Sequence, residues 1–454
     1  MHERTQQAIG RLLFVLCCAG PSILTITWIL ITCTTWFQNQ TTQDLQERME
    51  SALGLSVTFE SYQHPAPNHW VFANLNLRHP ETLKRVGKVR EAHWLIQGND
   101  ARMLLEQPEL EANQIAALWK SIHDRFLCYP DNLKHPLSIA ANDLTIKSGN
   151  HSFTLSDLDA WVENSQTQSS IVLQLHLADG LNHAPMMMKV KRNRDKTEVA
   201  QSISPSTSVS LNTNGTALPC SALADFLPTI ESLGSSATFT GNLRWELANN
   251  GWSIDLAGSR FTRIELDRLF ENHAHRLSGN ATIELDRCFI APNERKSDLT
   301  GQIRVEEGLI GKTLLKQFAE NLQFKLLETE VWNQFSGDLP YDLIAMGFNI
   351  NGTQMRLTGI CQNERGFENY PSGVAIVLDG YPLAQTFDEA IESVRLLAAI
   401  APLHSVPVPI SAQTDWLTNI LLPPSRPLPR SQSTPPRIRS ARVWEGGPLV
   451  QQPR

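Results

Sequence analysis

The sequence lacks the short motifs by which many enzymes and metal proteins are recognised. It contains no C-x-x-C pair, no H-E-x-x-H and no G-x-S-x-G, so nothing in it favours a zinc site, a thioredoxin-like centre or a serine hydrolase. Beyond the first 40 residues its four cysteines lie far apart, a pattern equally typical of one or two disulfides and of scattered buried thiols: Cys128, Cys220, Cys288 and Cys361. We expect no enzyme activity, no catalytic residue, no cofactor and no metal.

The chain also lacks an excess of basic residues. Its formal net charge is −7 over 454 residues, whereas a nucleic-acid-binding protein needs a basic face. Nucleic acid is therefore excluded as an expected partner. The length is ample for one large domain or two ordinary ones.

Charged residues are missing from one long segment near the N-terminus. Residues 12–43 contain no Lys, Arg, Asp or Glu, and Leu12–Phe37 is almost wholly apolar. About 20 apolar residues span a bilayer, and a secretory signal is shorter, so Leu12–Phe37 predicts a single transmembrane helix. A cleaved signal and a buried core helix are the alternatives. Arg4 and Arg11 precede the segment while carboxylates predominate just after it, which predicts a cytoplasmic N-terminus and export of the remainder.

Most of the exported region alternates between apolar and polar residues. In Ala237–Leu247 the odd positions are mostly apolar and the even positions are polar, a period of two that predicts a strand with one dry face. The pattern recurs in several later segments, and turn signals such as Asn249-Asn250-Gly251 separate them. We therefore predict a mainly β (α+β) fold with a long antiparallel array. Its candidate lipid-facing stripe comprises Phe239, Leu243, Trp245, Leu247, Trp252, Ile254, Leu256, Ile283 and Leu285.

Helical spacing appears in a few places only. Residues 110–126 carry apolar side chains at helical intervals, and further helices are predicted near 221–233, 313–327 and 387–400. From Pro423 the chain is rich in Pro, Arg and Ser and loses periodicity, which predicts a disordered tail. The predicted organisation is a cytoplasmic segment (1–11), the transmembrane helix (12–37), an α+β part (38–135), the β-sheet region (136–422) and the tail (423–454).

Three local patterns have simple structural explanations. Gly311-Lys312-Thr313 lacks the upstream glycine of a phosphate loop, since position 306 is Glu, and is typical of a hairpin end followed by an amphipathic helix. His273 and His275 have no accompanying metal motif and are expected in a loop. The Met186-Met187-Met188 run is expected to pack.

One apolar span followed by a two-period strand array resembles the AsmA-like/TamB-like envelope proteins. Residues 50–57 (ESALGLSV), followed by Trp70–Leu77, are similar to the opening of that family after the membrane helix. Residues 299–315 are similar to the C-terminal region of the family, where a strand pair runs into a helix, and residues 341–358 to the strands that follow it. The resemblance covers roughly residues 10–400, while the helical segment at 110–126 and the tail depart from it.

The resemblance implies an elongated, curved antiparallel sheet whose apolar concave face forms a groove with a few covering helices. It also implies an inner-membrane protein with its bulk in the periplasm, acting in lipid transport or in envelope assembly and homeostasis. The implied partners are the membrane, phospholipid acyl chains and other envelope proteins. Two alternatives remain open: a closed β-sandwich instead of the groove, and a membrane-tethered scaffold that binds envelope or secretion proteins.

Overall fold

The computed structural model describes most of the chain between residues 13 and 400. The described residues are 13–32, 34–129, 136–148, 151–165, 168–177, 184–193, 206–223, 230, 232–248, 251–271, 275–327, 335 and 337–400. The predicted tail (423–454), His273 and the cytoplasmic segment (1–11) lie outside them.

Two helices occupy the N-terminal part. A π-helical turn, Val15–Ala19, leads into α1 (Gly20–Thr32), and α2 spans Thr35–Leu53. Among the described residues, no helix meets the combined length and hydropathy expected of a membrane span. Helix α2 ends at Gly54, whose left-handed φ of 69° suits a residue without a side chain. The Glu50 carboxylate then accepts a hydrogen bond of 2.9 Å from the Val57 amide and fixes the path into the first strand.

In the described residues twenty-three strands follow, and all belong to one hydrogen-bonded sheet. The first five are β1 (Ser56–Thr58), β2 (Ser61–Ala66), β3 (His69–Arg78), β4 (Arg85–Gln97) and β5 (Asp100–Glu111). The middle ones are β6 (Leu137–Ser148), β7 (His151–Asn164), β8 (Gln168–Leu177), β9 (Met186–Asn193), β10 (Thr207–Asn212), β11 (Leu218–Pro219), β12 (Thr238–Thr240), β13 (Asn242–Ala248), β14 (Gly251–Asp255) and β15 (Ser259–Glu265). The last are β16 (Asn280–Ala291), β17 (Lys296–Gly311), β18 (Lys325–Leu326), β19 (Asp338–Asn351), β20 (Gln354–Gly359), β21 (Val374–Leu378), β22 (Tyr381–Gln385) and β23 (Ile391–Glu392).

The strands pair with neighbours in the chain, and the sheet is large, open and mostly antiparallel. The pairing runs from β3 through β10 in unbroken chain order, continues through β13, β14 and β16, and ends in β17, β19 and the strands around β20–β23. The prediction of a mainly β fold with an antiparallel array and few helices is confirmed. The segment predicted as one strand from Ala237 to Leu247 is instead divided at Gly241, which has a φ of 132°.

One pairing in the described chain is parallel, that of β5 with β6. Parallel neighbours require a crossover connection, usually helical. That connection contains a 3₁₀ turn (Ala112–Gln114), helix α3 (Ile115–Ile122) and a π-helical turn (His123–Leu127). The helix predicted at 110–126 is therefore present from residue 115 onward, while Leu110 still belongs to β5 because its backbone is paired with β6.

The remaining helices are short. They are α4 (Leu266–Leu269), α5 (Lys312–Leu322), α6 (Val394–Ile400) and the 3₁₀ turns Cys220–Leu223, Pro292–Glu294 and Cys361–Asn363. Gly311 ends β17 and Lys312 begins α5, so the Gly-Lys-Thr run is a strand end followed by a helix. The helix predicted near 313–327 stops at Leu322 because Gln323 takes a left-handed conformation and β18 follows. In the region predicted near 387–400 a short strand precedes α6, and most of 221–233 beyond Leu223 lies outside the described residues.

Three helices pack on the same face of the sheet. Leu45, Met49 and Leu53 of α2 contact the core of β1–β4, and Leu127 after α3 contacts β9 and β10. Helix α5 buries Leu314, Leu315, Phe318 and Leu322 against β15–β19 and the strands beyond them. The dry face of the sheet is thus covered at intervals, and the strands between the helices carry the candidate site.

Candidate functional site

The candidate site is the apolar face of the sheet, and strand register places its residues. Alternate residues of a strand share a face, and partners in neighbouring strands stand beside each other. An apolar row therefore runs across many strands only if each strand contributes an apolar residue at the matching position. Two such rows are present.

The first row crosses nine strands, from β3 to β13, along successive register partners. Every member is apolar and every member is half-buried, so this line of side chains is neither a sealed core nor a solvated surface. Its members are Trp70, Trp94, Met103, Ile139, Ala160, Leu173, Met188, Leu211 and Leu243.

The second row lies two residues along each strand and on the same face, and it crosses ten strands from β4 to β16. Leu127 and Trp119 cover its middle, where Val190 and Val209 are buried. Its members are Ile96, Ala101, Leu137, Val162, Ile171, Val190, Val209, Trp245, Ile254 and Ile290.

The positions between the two rows face the other side and are mixed. Over the same strands they include Arg102, Ser138, Lys189, Ser210, Arg244 and Asp255. A concavity of about 360 Å³ is lined by Lys189, Arg244 and Asp255 of that side and also by Leu211 and Leu243 of the first row. This side is thus more polar than the side of the two rows, although Trp161 and Val172 also lie on it.

The structure places the predicted stripe on the apolar face. Leu243 belongs to the first row, and Trp245 and Ile254 belong to the second. Leu247 and Trp252 are register partners of each other, and each lies two residues beyond the second row in its strand. Phe239, Leu243 and Leu256 pack in one cluster, and Phe261 joins that cluster to the one containing Ile283. Leu285 lies two residues beyond Ile283 in β16 and is buried.

Sequence reasoning missed most of the apolar face between β4 and β10. Met103, Ile139 and Met188 belong to the first row, yet Met188 was expected only to pack. The available signal was the alternation within each short strand. The alignment of one strand with the next depends on pairing and turn geometry, which are not visible in a strand by itself.

The Trp245 indole is the exception to the apolar character of the rows. Its Nε1 is buried and has no hydrogen-bond partner within the described part of the chain. Buried polar groups in proteins nearly always have a partner, which is an internal group, a water or a ligand. This N–H is therefore an unsatisfied donor within the cluster formed by Leu127, Val190 and Val209.

The cysteines and the metal-ligating groups are not members of the two rows. Cys128, Cys220, Cys288 and Cys361 are free thiols. Burial raises the pKa of Cys220 and of Cys288 to about 11 and that of Cys361 to about 12, so these thiols are not nucleophiles at neutral pH. His275 is buried and its Nδ1 lies 3.0 Å from Thr313 Oγ1. At the border of the second row, His123, Asp124 and Cys128 come together.

In comparison with known proteins, no family model matches the chain and no curated protein matches its sequence. The class that the fold defines is a large, open, mostly antiparallel sheet with few helices.

Proposed function

We propose that this protein is a non-enzymatic, membrane-anchored envelope protein that binds phospholipid acyl chains along the apolar face of its sheet. The observation that carries the proposal is the first row, in which nine successive strands each contribute a half-buried apolar side chain. Contiguous apolar surface of this extent is rare on a monomer unless something apolar binds it.

The length of the row suits lipid tails. Strands lie about 4.8 Å apart, so nine strands give a path of about 38 Å. One leaflet of a bilayer core is about 15 Å thick, which is the reach of one extended tail. The row therefore exceeds the length of two tails placed end to end, as a surface needs to do if lipid is to move along it.

The proposal includes the anchor at Leu12–Phe37. In the described part of this segment nine large apolar side chains are between 58% and 69% exposed: Leu13, Phe14, Val15, Ile23, Leu24, Ile26, Trp28, Ile29 and Leu30. Exposed apolar side chains on consecutive helical turns favour a lipid environment. With the N-terminus in the cytoplasm, the sheet lies in the periplasm, next to the bilayer from which lipid would enter. This supports a role in lipid transport or in envelope assembly and homeostasis.

The test uses two adjacent positions on opposite faces of β13. A photo-activatable amino acid replaces Leu243 in one full-length variant and Arg244 in the other, and both are irradiated in cells whose phospholipids carry a radioactive phosphate. We expect labelled protein from position 243 and at least tenfold less from position 244, because only Leu243 lies in the first row.

Equal labelling at the two positions, or none at either, refutes the lipid-binding proposal. Protein adducts at 243 without lipid adducts favour the scaffold alternative, in which another envelope protein covers the face. Position 244 controls for expression, membrane insertion and general proximity to the bilayer.

A further inference from the structure

Three metal-ligating side chains meet in the connection between β5 and β6. His123 Nδ1 lies 3.0 Å from Asp124 Oδ1 and 3.6 Å from Cys128 Sγ. The three donor atoms all lie within 4.8 Å of one another, and all three residues are half-buried. Nothing in the proposed lipid-binding function uses them.

The π-helical turn creates this juxtaposition. In an α-helix, residues five apart are rotated by about 140° and point in different directions. Here the Cys128 amide donates to the His123 carbonyl over 2.9 Å, an i to i+5 bond that places Cys128 one turn beyond His123. The spacing H-D-x-x-x-C gives no recognisable motif, so the sequence did not predict the cluster.

We propose that His123 Nδ1, the Asp124 carboxylate and the Cys128 thiolate bind a divalent cation of the zinc class, with a fourth position open to solvent. Typical zinc bond lengths place tetrahedral N and S ligands about 3.6 Å apart and N and O ligands about 3.4 Å apart. The observed separations are 3.6 Å and 3.0 Å, but Cys128 Sγ is also 4.0 Å from Nε2, so the sulfur lies beside the ring and its side chain has to rotate before Sγ and the Nδ1 lone pair can face one ion. The Asp124 side chain is 51% exposed, which gives the ion a path of entry.

The charges around the cluster are compatible with such an ion. A thiolate and a carboxylate together neutralise a divalent cation, so the Arg192 guanidinium stands beside a neutral complex. Arg192 Nη1 lies 3.2 Å from His123 Nε2 and 2.9 Å from Thr207 Oγ1. Thr207 Oγ1 in turn lies 3.4 Å from His123 Nε2. If a metal binds Nδ1, the ring proton is on Nε2. The Thr207 hydroxyl then accepts a hydrogen bond from Nε2, and the Arg192 guanidinium, which is itself a donor, has to turn away from this nitrogen.

A nucleophilic role for Cys128 fits the geometry less well. In a Cys-His-Asp triad the thiol and the carboxylate contact different ring nitrogens. Here both are closest to Nδ1, and Cys128 Sγ is 4.0 Å from Nε2. Three donor atoms within 4.8 Å of one another can instead converge on one ion once the Cys128 side chain rotates.

The test is a cobalt titration of the full-length protein in detergent after treatment with a chelator. Co²⁺ takes the place of zinc, and a thiolate ligand gives it a charge-transfer absorption in the near ultraviolet. We expect one equivalent to bind with this band and added Zn²⁺ to remove it. Cys128→Ser should abolish the band, Asp124→Asn should weaken binding at least tenfold, and Arg192→Met should tighten it several-fold.

Cys288→Ala is the matched control, because Cys288 is also a free thiol but lies in β16, away from the cluster. It should bind cobalt as the wild type does. The proposal is overturned if the wild type gives no thiolate–cobalt band, or if Cys128→Ser keeps the band. Circular dichroism of each variant verifies folding, and half-exposed Asp124 provides a substitution that leaves the core intact if Cys128→Ser misfolds.

Discussion

Replacing Leu127 by Ala is a direct test of how the connection between β5 and β6 is held on the sheet. Leu127 is 0% exposed and packs on Val190 and Val209 of the second row. Removing three carbons loses about 2.4 kcal/mol of transfer free energy. The cavity left behind adds to this, because sheet residues cannot move into it, so we expect about 3 kcal/mol of destabilisation.

The assay is native-state hydrogen exchange followed by mass spectrometry, which reports on local opening and does not require two-state unfolding of a sheet this large. A loss of about 3 kcal/mol corresponds to exchange about 100-fold faster. We expect this acceleration for amides of Ile115–Leu127 and a smaller one for β9 and β10, which the connection covers.

The matched control is Leu104→Ala, the same chemical change at a side chain that is 40% exposed. It should cost under about 1 kcal/mol and leave exchange in the connection unchanged. If Leu127→Ala accelerates exchange less than tenfold, or no more than Leu104→Ala does, then the connection is not anchored by this contact and our account of the covered second row fails.

Three further predictions concern the sheet and its side chains. Gly301→Ala should destabilise the protein by about 3 kcal/mol in urea unfolding, because the new Cβ would lie 2.1 Å from a backbone oxygen of β16. Gly347→Ala is the control: its Cβ would meet nothing closer than 3.8 Å, so the free energy of unfolding should change little. Equal effects of the two substitutions would contradict the register. In metal-free protein at pH 8, iodoacetamide should modify half-buried Cys128 well before Cys288, since a pKa of about 11 leaves about one Cys288 thiol in a thousand ionised. The hydrogen bond from Lys147 lowers the pKa of Glu109 below its ordinary 4.5, so the pair stabilises the protein above pH 4.5 and loses this contribution as the pH falls through the lower native pKa. Lys147→Met should remove that part of the acid sensitivity. The free energy of unfolding should change by less than about 1 kcal/mol, because both groups are half-exposed. An unchanged dependence of stability on acid pH would count against the pair.

The β character of the chain was predictable because alternation is local. Residues such as Phe239, Trp245 and Ile254 reveal the dry face within their own short segments. Strand ends were less predictable, since they depend on backbone conformations such as that of Gly241. The rows themselves required the register of up to ten strands, and a shift of one residue in any of them would break the rows.

The His123–Cys128 contact was not predictable for a different reason. Helical spacing was visible from Ile115 onward, but an extra residue in the last turn changes which side chains share a face. Local sequence does not distinguish a π-turn from an α-turn, because packing of Leu127 on β9 and β10 takes part in selecting it.

The chain-order pairing of the strands has a consequence for how the molecule is built. A strand whose partners are its neighbours can be added without waiting for distant sequence. The sheet can therefore lengthen stepwise from its N-terminal strands. For the same reason one hairpin can be gained or lost in evolution with disruption confined to the two strands beside it, as in repeat proteins. The length of the apolar path is then a property that selection can change in steps of about 5 Å per strand.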